Sequence, residues 1–162
     1  GGDEWVSGAF EGVGMTEVVG RTSLVEMLAL LESADVVVTH DTGPLHMAGI
    51  TSAAVVGIFG PTDPRGRLPQ RENTVALWGG EGFACRPCYD GREYAPCRDN
   101  GCVRQVTPTM VLAEVQRLLE ARRTGVALPP RVITPEHTPV RHPGLLQIGV
   151  ADGVVDGDRS EG

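Results

Sequence analysis

Residues 33–49 read SADVVVTHDTGPLHMAG, and this stretch decides the fold. Its apolar run, residues 34–40, is typical of a short strand that is buried in a parallel sheet. The run ends in a charged and Gly-Pro-containing turn. Apolar spacing then resumes over residues 44–50, which predicts a short helix with Pro44 in its first turn. A buried strand that leads through a polar turn into a helix is the repeating unit of an α/β sheet.

The flanking sequence supplies further helices and strands. A helix is predicted over residues 23–33, where Ser23 and Glu26 can form a capping box. Residues 107–123 predict a closing helix that Thr107 caps. Three more runs are predicted to be strands, the first of them weakly: residues 16–20, 53–60 and 73–79. This alternation predicts the α/β class, with a Rossmann-like, doubly wound parallel sheet.

The predicted domain spans residues 1–123, and two parts of the chain depart from its pattern. Residues 82–106 are rich in Gly, Cys, Pro and Arg, and predict an irregular insert within the domain. Residues 124–162 are rich in Pro and Gly and lack apolar periodicity. We therefore expect a disordered or loosely attached tail there.

Composition narrows the classes of function. The 162 residues carry a formal net charge of −7, which argues against a nucleic-acid-binding protein. No apolar run is long enough to cross a bilayer. All 14 basic residues are Arg, and Arg65, Arg67 and Arg71 are candidates for contact with a phosphate or a sugar.

The polar residues of the quoted stretch fall where open parallel sheets bind ligands, at the carboxyl end of a strand. Asp41, Thr42 and Gly43 stand there and lead into a helix N-terminus, whose unpaired N–H groups attract anions. The Thr42 hydroxyl can donate to a phosphate, and Asp41 can accept from sugar hydroxyls. His46, in the first turns, can donate to a phosphate or a leaving group. A capped helix with a partly buried His is the structural alternative, and it stays open.

A second polar turn, FGPTDP at residues 59–64, follows the next predicted strand. Gly60 and Thr62 would then extend the first turn into one polar rim. Such a rim suits a nucleotide diphosphate better than a metal ion. A purely structural turn, fixed by Pro61 and Pro64, explains the segment equally well.

Two short motifs point to other functions, and their context excludes both. Asp41-Thr42-Gly43 is the tripeptide of aspartic proteases, but those enzymes need an all-β setting, and here helices flank it. GGDE at residues 1–4 is similar to the signature of cyclic-dinucleotide synthases. It stands at the start of the sequence, without the domain that should precede that signature.

The cysteines Cys85, Cys88, Cys97 and Cys102 all lie in the insert, with the spacing C-x2-C-x8-C-x4-C. The first pair has the usual spacing of a zinc knuckle. Three states stay open: a structural Zn²⁺ site that holds a polar insert together, free thiols, or disulfides, which require an oxidising compartment.

Taken together, these motifs resemble glycosyltransferase family 9, the lipopolysaccharide heptosyltransferases. The resemblance runs from residue 1 to about residue 121 and rests on ADVVVTHDTGPLHMAG, VVGIFGPTDPRGRLP, CRPCY and VTPTMVLAEVQRLL. It implies a GT-B fold, two Rossmann-like halves facing across a cleft, of which this chain resembles the carboxyl-terminal half. It also implies an ADP-heptose donor and inverting transfer to a lipopolysaccharide core or related glycan.

The resemblance also implies roles for the residues of the first turn. Thr42, Gly43 and Pro44 would hold the diphosphate of the donor. Asp41 would contact the transferred sugar, and His46 would lie beside the diphosphate. No obligatory metal is expected at this site, because N–H donors at a helix end already stabilise the anion.

Further expectations follow from the same resemblance. Thr22 falls where the family packs its adenine, and Glu4 where an acidic residue binds the ribose. The general base would belong to an amino-terminal half, so this chain alone should bind donor weakly and catalyse nothing. The whole enzyme would be cytoplasmic, with a glycan or lipid-linked acceptor and peripheral contact with the inner membrane.

Two other functions stay open beside the transferase. One is a non-catalytic interaction module that has this half of the fold and is stabilised by zinc. Such a module would show no saturable binding of ADP. The other is a nucleotide-sugar epimerase of GT-B architecture. It would need catalytic carboxylates at positions that this sequence does not mark.

Overall fold

The computed structural model describes residues 14–89 and 91–135. The strands form one parallel sheet in the order β1-β2-β3-β4, which confirms the predicted α/β class. A 3-10 turn, Pro64–Gly66, lies between β2 and β3. The helices and strands are α1 (Leu24–Ser33), β1 (Val36–His40), α2 (Gly43–Ala48), β2 (Ala54–Phe59), β3 (Thr74–Trp78), α3 (Gly101–Arg104), α4 (Pro108–Thr124) and β4 (Arg131–Ile133).

The strand register brings the ends of three strands to one edge of the sheet. His40 at the end of β1 pairs with Ile58 of β2. Phe59 at the end of β2 pairs with Trp78 at the end of β3. The turns that follow these strands therefore leave the sheet side by side, as the sequence predicts for its two polar turns.

The central strands are buried on both faces, which explains their continuous apolar sequences. On one face, Phe59 packs in a core cluster with Leu45 of α2. On the other face, Val56 and Leu77 pack in a second cluster with Leu118 of α4. The sheet is thus held between α2 and α4, and the start of α2 is fixed at the carboxyl edge of β1.

Both predicted helix caps are present. The Ser23 N–H donates to the Glu26 carboxylate at 2.7 Å, and the Glu26 N–H donates to the Ser23 hydroxyl at 3.3 Å, which completes the capping box. The Met110 N–H donates to the Thr107 hydroxyl at 3.3 Å, which caps α4. Across the part of the chain that the structure describes, no helix has the length and apolar character needed to cross a membrane.

The first of two differences from the sequence prediction concerns residues 16–20, which form no strand. The expectation of a strand there is wrong. Val18 and Val19 are 39% and 46% exposed, so within the described part of the chain this short apolar pair has neither a covering layer nor a core to hold it in a sheet. Two apolar residues without a buried face do not specify a strand.

The second difference concerns β4, which lies within the segment that the sequence assigns to the tail. Arg131–Ile133 pairs in parallel with β3 and extends the sheet. β4 has only three residues, and two of them are exposed. A strand this short, without a buried face, leaves no apolar pattern in the sequence that would predict it. The remainder of the predicted tail, residues 136–162, lies outside the described residues.

Leu118→Ala tests the packing of α4 on the sheet. Leu118 is fully buried, so we expect the substitution to lower the free energy of unfolding by about 2–5 kcal/mol. The matched control is Leu119→Ala on the same helix, where the side chain is 42% exposed and the expected loss is below about 1 kcal/mol. Urea denaturation measures both. Equal losses in the two variants would contradict the placement of α4.

Candidate functional site

An open cavity of about 540 Å³ lies beside the carboxyl ends of β1 and β2. Of the residues predicted in the first turn and its helix, His46 lines it, whereas Asp41, Thr42, Gly43 and Pro44 do not. His46 comes from the first turn and its helix, and Thr62 comes from the second turn. Arg67 follows the 3-10 turn, and the insert adds Pro87, Tyr89 and Gly91 to the lining. The lining residues are His46, Thr62, Asp63, Gly66, Arg67, Pro87, Tyr89 and Gly91.

Asp41 lies behind this cavity as a buried carboxylate with unused acceptors. Its side chain is only 8% exposed, yet within the described chain neither carboxylate oxygen accepts a hydrogen bond. The Arg67 Nε atom lies 3.6 Å from Asp41 Oδ2, which is close enough for an ion pair but too long for a hydrogen bond. A buried carboxylate in this state is costly, so Asp41 has acceptor capacity that a ligand hydroxyl could use.

The start of α2 is exposed and open. Thr42 is the N-cap residue by position, but its side chain makes no capping hydrogen bond. Thr42, Gly43 and His46 are exposed, and Pro44 is half-buried. A Cβ added to Gly43 would meet nothing within 4 Å. As far as residues 14–89 and 91–135 are concerned, the helix N-terminus therefore borders free space, and no side chain caps it.

The second turn divides into a polar and a packed part. The Thr62 hydroxyl is buried without a hydrogen-bond partner among the described residues, and Thr62 lines the cavity. Gly60, by contrast, is packed against α3, because an added Cβ would lie 2.7 Å from Val103 and 2.8 Å from the Cys102 sulfur. The Gly60 carbonyl accepts a hydrogen bond from Trp78 Nε1 at 3.1 Å.

The three candidate arginines have different surroundings. Arg71 donates to three backbone carbonyls around the end of α2 and the start of β2, and burial lowers its pKa. Arg65 pairs with Asp63 through two contacts of 3.0 and 2.9 Å. Burial raises the pKa of Asp63, but hydrogen bonds from Arg65 outweigh it and leave that pKa lowered. Arg67 is the one of these three that lines the cavity beside Thr62.

The insert contributes to the site through Tyr89. The N–H groups of Cys88 and Tyr89 both donate to the Pro61 carbonyl, at 3.0 and 3.3 Å, which fixes the insert to the second turn. The Tyr89 ring stacks on Tyr94 with 4.7 Å between ring centres. The Arg67 guanidinium carbon lies 5.0 Å from the Tyr89 ring centre. Sequence reasoning missed Tyr89, because the insert has no periodicity, and its position in CRPCY was the available indication.

The four cysteines are free thiols in the structure. The chemistry of four thiolates suits Zn²⁺, but no group of three or more His, Cys, Asp or Glu side chains is arranged to hold a metal within residues 14–89 and 91–135. Burial raises the pKa of Cys102, and Cys88 and Cys97 raise it further. Those three sulfurs are therefore within electrostatic range, while Cys85 is exposed. A structural zinc site at these four cysteines stays a prediction.

The remaining predicted site residues lie near the amino end of the chain. Thr22 is half-buried and directly precedes Ser23, the N-cap of α1. Because α1 runs into the amino end of β1, its own start lies toward the carboxyl edge of the sheet. Glu4 lies outside the described residues.

Known proteins similar to this chain are heptosyltransferases. The model of glycosyltransferase family 9 (heptosyltransferase) matches residues 3–96. Lipopolysaccharide heptosyltransferase 3 of Escherichia coli is 26% identical over 114 residues, which is 70% of this chain and 32% of that protein. Lipooligosaccharide heptosyltransferase 2 of Campylobacter jejuni is 24% identical over 111 residues, 68% of this chain and 34% of that protein. No solved structure matches the chain.

The family match covers more than half of the chain, and the chain belongs to glycosyltransferase family 9. This confirms the resemblance read from the motifs. The matched range includes both polar turns, Arg67 and Tyr89, whereas Cys97 and Cys102 follow it. The chain spans about a third of the length of the curated relatives it matches.

Two glycine substitutions separate the open turn from the packed one. Gly43→Ala should change the free energy of unfolding by less than about 0.5 kcal/mol, because the new methyl group enters free space. Gly60→Ala should cost about 1–3 kcal/mol, because its methyl group would collide with Val103 and Cys102. Chemical denaturation checks both. A large loss for Gly43→Ala would show that this corner is covered.

Thiol labelling tests the surroundings of the cysteines. Iodoacetamide should modify Cys102 more slowly than Cys85 and Cys97, because burial raises the pKa of Cys102 and so lowers its thiolate fraction. Peptide mass spectrometry after short labelling times gives the order. The urea-unfolded chain is the control, and there the rates should converge. Fastest labelling at Cys102 would contradict the structure of the insert.

Proposed function

We propose that this member of glycosyltransferase family 9 is the donor-binding part of a heptosyltransferase and holds an ADP-heptose-type nucleotide sugar at the carboxyl edge of β1 and β2. One observation carries the proposal. Asp41 is a buried carboxylate without a hydrogen bond in the described chain, and it stands directly before an open helix N-terminus. The similarity to heptosyltransferases supports the same donor class.

The diphosphate would lie against the start of α2. The Gly43 N–H is a donor for its oxygens, Pro44 presets the first helical turn, and the helix dipole favours an anion there. The Thr42 hydroxyl, which donates to the His40 carbonyl at 3.4 Å, would turn to the diphosphate as a second donor. The free space beside Gly43 and the exposure of Thr42 support this placement. His46, on the cavity wall, would donate to the same diphosphate.

Asp41 would bind the transferred sugar. Its two carboxylate oxygens are acceptors only, and sugar hydroxyls would supply the hydrogen bonds that it lacks in the described chain. Thr62 has the same deficit and lines the cavity, so its hydroxyl would bond to the sugar or to a phosphate oxygen. Gly60 would act indirectly, by allowing α3 to pack behind the turn.

The nucleoside would extend toward the start of α1. In this proposal Thr22 packs against the adenine, and Glu4 binds the ribose. Support for Thr22 is its half-buried position before the N-cap of α1. Support for Glu4 is its place within the matched family range.

The chemistry proposed for this site is stabilisation of the leaving group. An acceptor hydroxyl attacks the anomeric carbon of the sugar, the bond to the diphosphate oxygen breaks, and negative charge develops on the departing ADP. Preorganised donors at the start of α2 would stabilise that charge, so no obligatory metal is proposed. The base that takes the acceptor proton would lie on another part of the enzyme.

The acceptor would be a lipopolysaccharide core or a related glycan. We place the whole enzyme in the cytoplasm, in peripheral contact with the inner membrane where a lipid-linked acceptor would be available. The similarity to lipopolysaccharide and lipooligosaccharide heptosyltransferases supports this acceptor class. The chain by itself should bind donor and transfer nothing.

Isothermal titration with ADP and with ADP-heptose tests the proposal. The chain should bind both saturably. Asp41→Asn should weaken ADP-heptose about tenfold, because a charge-assisted hydrogen bond to the sugar is lost, and should leave ADP binding no weaker. Gly43→Ala should weaken both ligands. The control is Glu120→Gln on the exposed outer face of α4, which should change neither. Absence of saturable ADP binding would favour a scaffold that has lost the donor site.

A further inference from the structure

We infer that Arg67 is a ligand of the donor diphosphate, and that Asp41 and Tyr89 hold its guanidinium in position while the site is empty. The inference rests on the proposed function, which assigns the diphosphate to the start of α2 and leaves Arg67 without a role. It also gives the Cys-rich insert a part in the site, through Tyr89.

Arg67 is held at the boundary between the site and the insert. Its N–H donates to the Pro64 carbonyl at 3.0 Å, which fixes its backbone at the end of the 3-10 turn. Its side chain is 35% exposed, and its Nε atom lies 3.6 Å from Asp41 Oδ2. Its guanidinium carbon lies 5.0 Å from the Tyr89 ring centre.

These contacts leave the guanidinium able to bind a ligand. The distance to Asp41 is too long for a hydrogen bond, and the contact with Tyr89 is a cation–π interaction, which uses no N–H donor. The planar group presents five donors in a fork that matches phosphate oxygens. Arg67 is thus oriented by two neighbours without having its donors occupied by them.

The negative charges near the cavity favour a cation at the position of Arg67. The proposed donor places a diphosphate at the start of α2, next to Asp41 in the chain, and like charges at close range repel strongly. Asp63 lines the neighbouring cavity, but Arg65 neutralises it through paired contacts. Among the described lining residues, Arg67 carries the permanent positive charge. A guanidinium between Asp41 and the diphosphate would reduce this repulsion.

Arg65 provides a matched control in the same turn. Its side chain is 71% exposed and pairs with Asp63. Its guanidinium carbon lies 5.3 Å from the Trp78 ring centre, and Arg65 lines a different cavity, with Trp78 and Arg86. Replacing Arg65 or Arg67 by Gln changes the net charge equally, so any difference in binding reports position rather than overall charge.

The test is isothermal titration of the chain with inorganic pyrophosphate and with ADP. Arg67→Gln should weaken both probes at least about tenfold, the expected effect of losing a charge-assisted phosphate contact. Arg67→Lys keeps the charge without the fork, and should bind more weakly than wild type but more tightly than Arg67→Gln. Arg65→Gln should stay within about twofold of wild type, because it removes an exposed ion pair and no contact with the diphosphate.

A double-mutant cycle with Asp41→Asn distinguishes a ligand from a counter-ion. If Arg67 contacts the diphosphate, Arg67→Gln still weakens ADP in the Asp41→Asn background, where Tyr89 continues to orient the guanidinium. If Arg67 only neutralises Asp41, Asp41→Asn restores the binding that Arg67→Gln loses, which overturns the inference. Circular dichroism verifies that each variant is folded, and Arg67→Lys carries the test if Arg67→Gln does not fold.

Failures of the two proposals give different results. Wild-type chain that binds neither ADP nor pyrophosphate overturns the proposed function, and the inference with it. Wild-type chain that binds both, with Arg67→Gln binding equally well, overturns the inference alone. Tyr89→Leu adds an independent readout, because loss of the aromatic platform should weaken pyrophosphate binding, whereas Tyr89→Phe keeps the ring and should retain it.

Discussion

The parallel pairing of β1 with β2 is the constraint on which the site depends. His40 at the end of β1 pairs with Ile58, and β2 ends one residue later at Phe59, so the two polar turns leave neighbouring strands at the same end of the sheet. A slip of one residue would turn every β2 side chain to the opposite face. Both faces of β2 are buried, by α2 and by α4, so the core that stabilises the fold also sets the geometry of the cavity.

The site itself works against stability. Asp41 is buried with no hydrogen bond in the described chain, and Thr62 has a buried hydroxyl in the same state. Groups of this kind destabilise a fold unless a partner completes their hydrogen bonds, and in the proposed function that partner is the donor. The Arg67 ion pair offsets part of the cost at Asp41. Within the second turn, the close packing of Gly60 against α3 therefore holds in place a turn whose Thr62 hydroxyl is available to a ligand.

Sequence reasoning predicted the elements that have strong local patterns and missed those that depend on tertiary contacts. The capping box at Ser23 and the apolar runs of β1, β2 and β3 are confirmed because both kinds of pattern follow directly from local geometry and two-sided burial. β4 escaped prediction because an exposed edge strand of three residues has no apolar pattern. The sequence identifies three candidate arginines. Only the fold shows that Arg67 lines the cavity, whereas Arg71 donates to backbone carbonyls.

A crystal structure of this chain with ADP would test the central claim most directly. We expect the diphosphate against the Gly43 N–H, with the Arg67 guanidinium on its other side and the Asp41 oxygens free to face a sugar. ADP bound elsewhere on the chain, or a diphosphate kept away from Gly43 because that corner is covered, would contradict it.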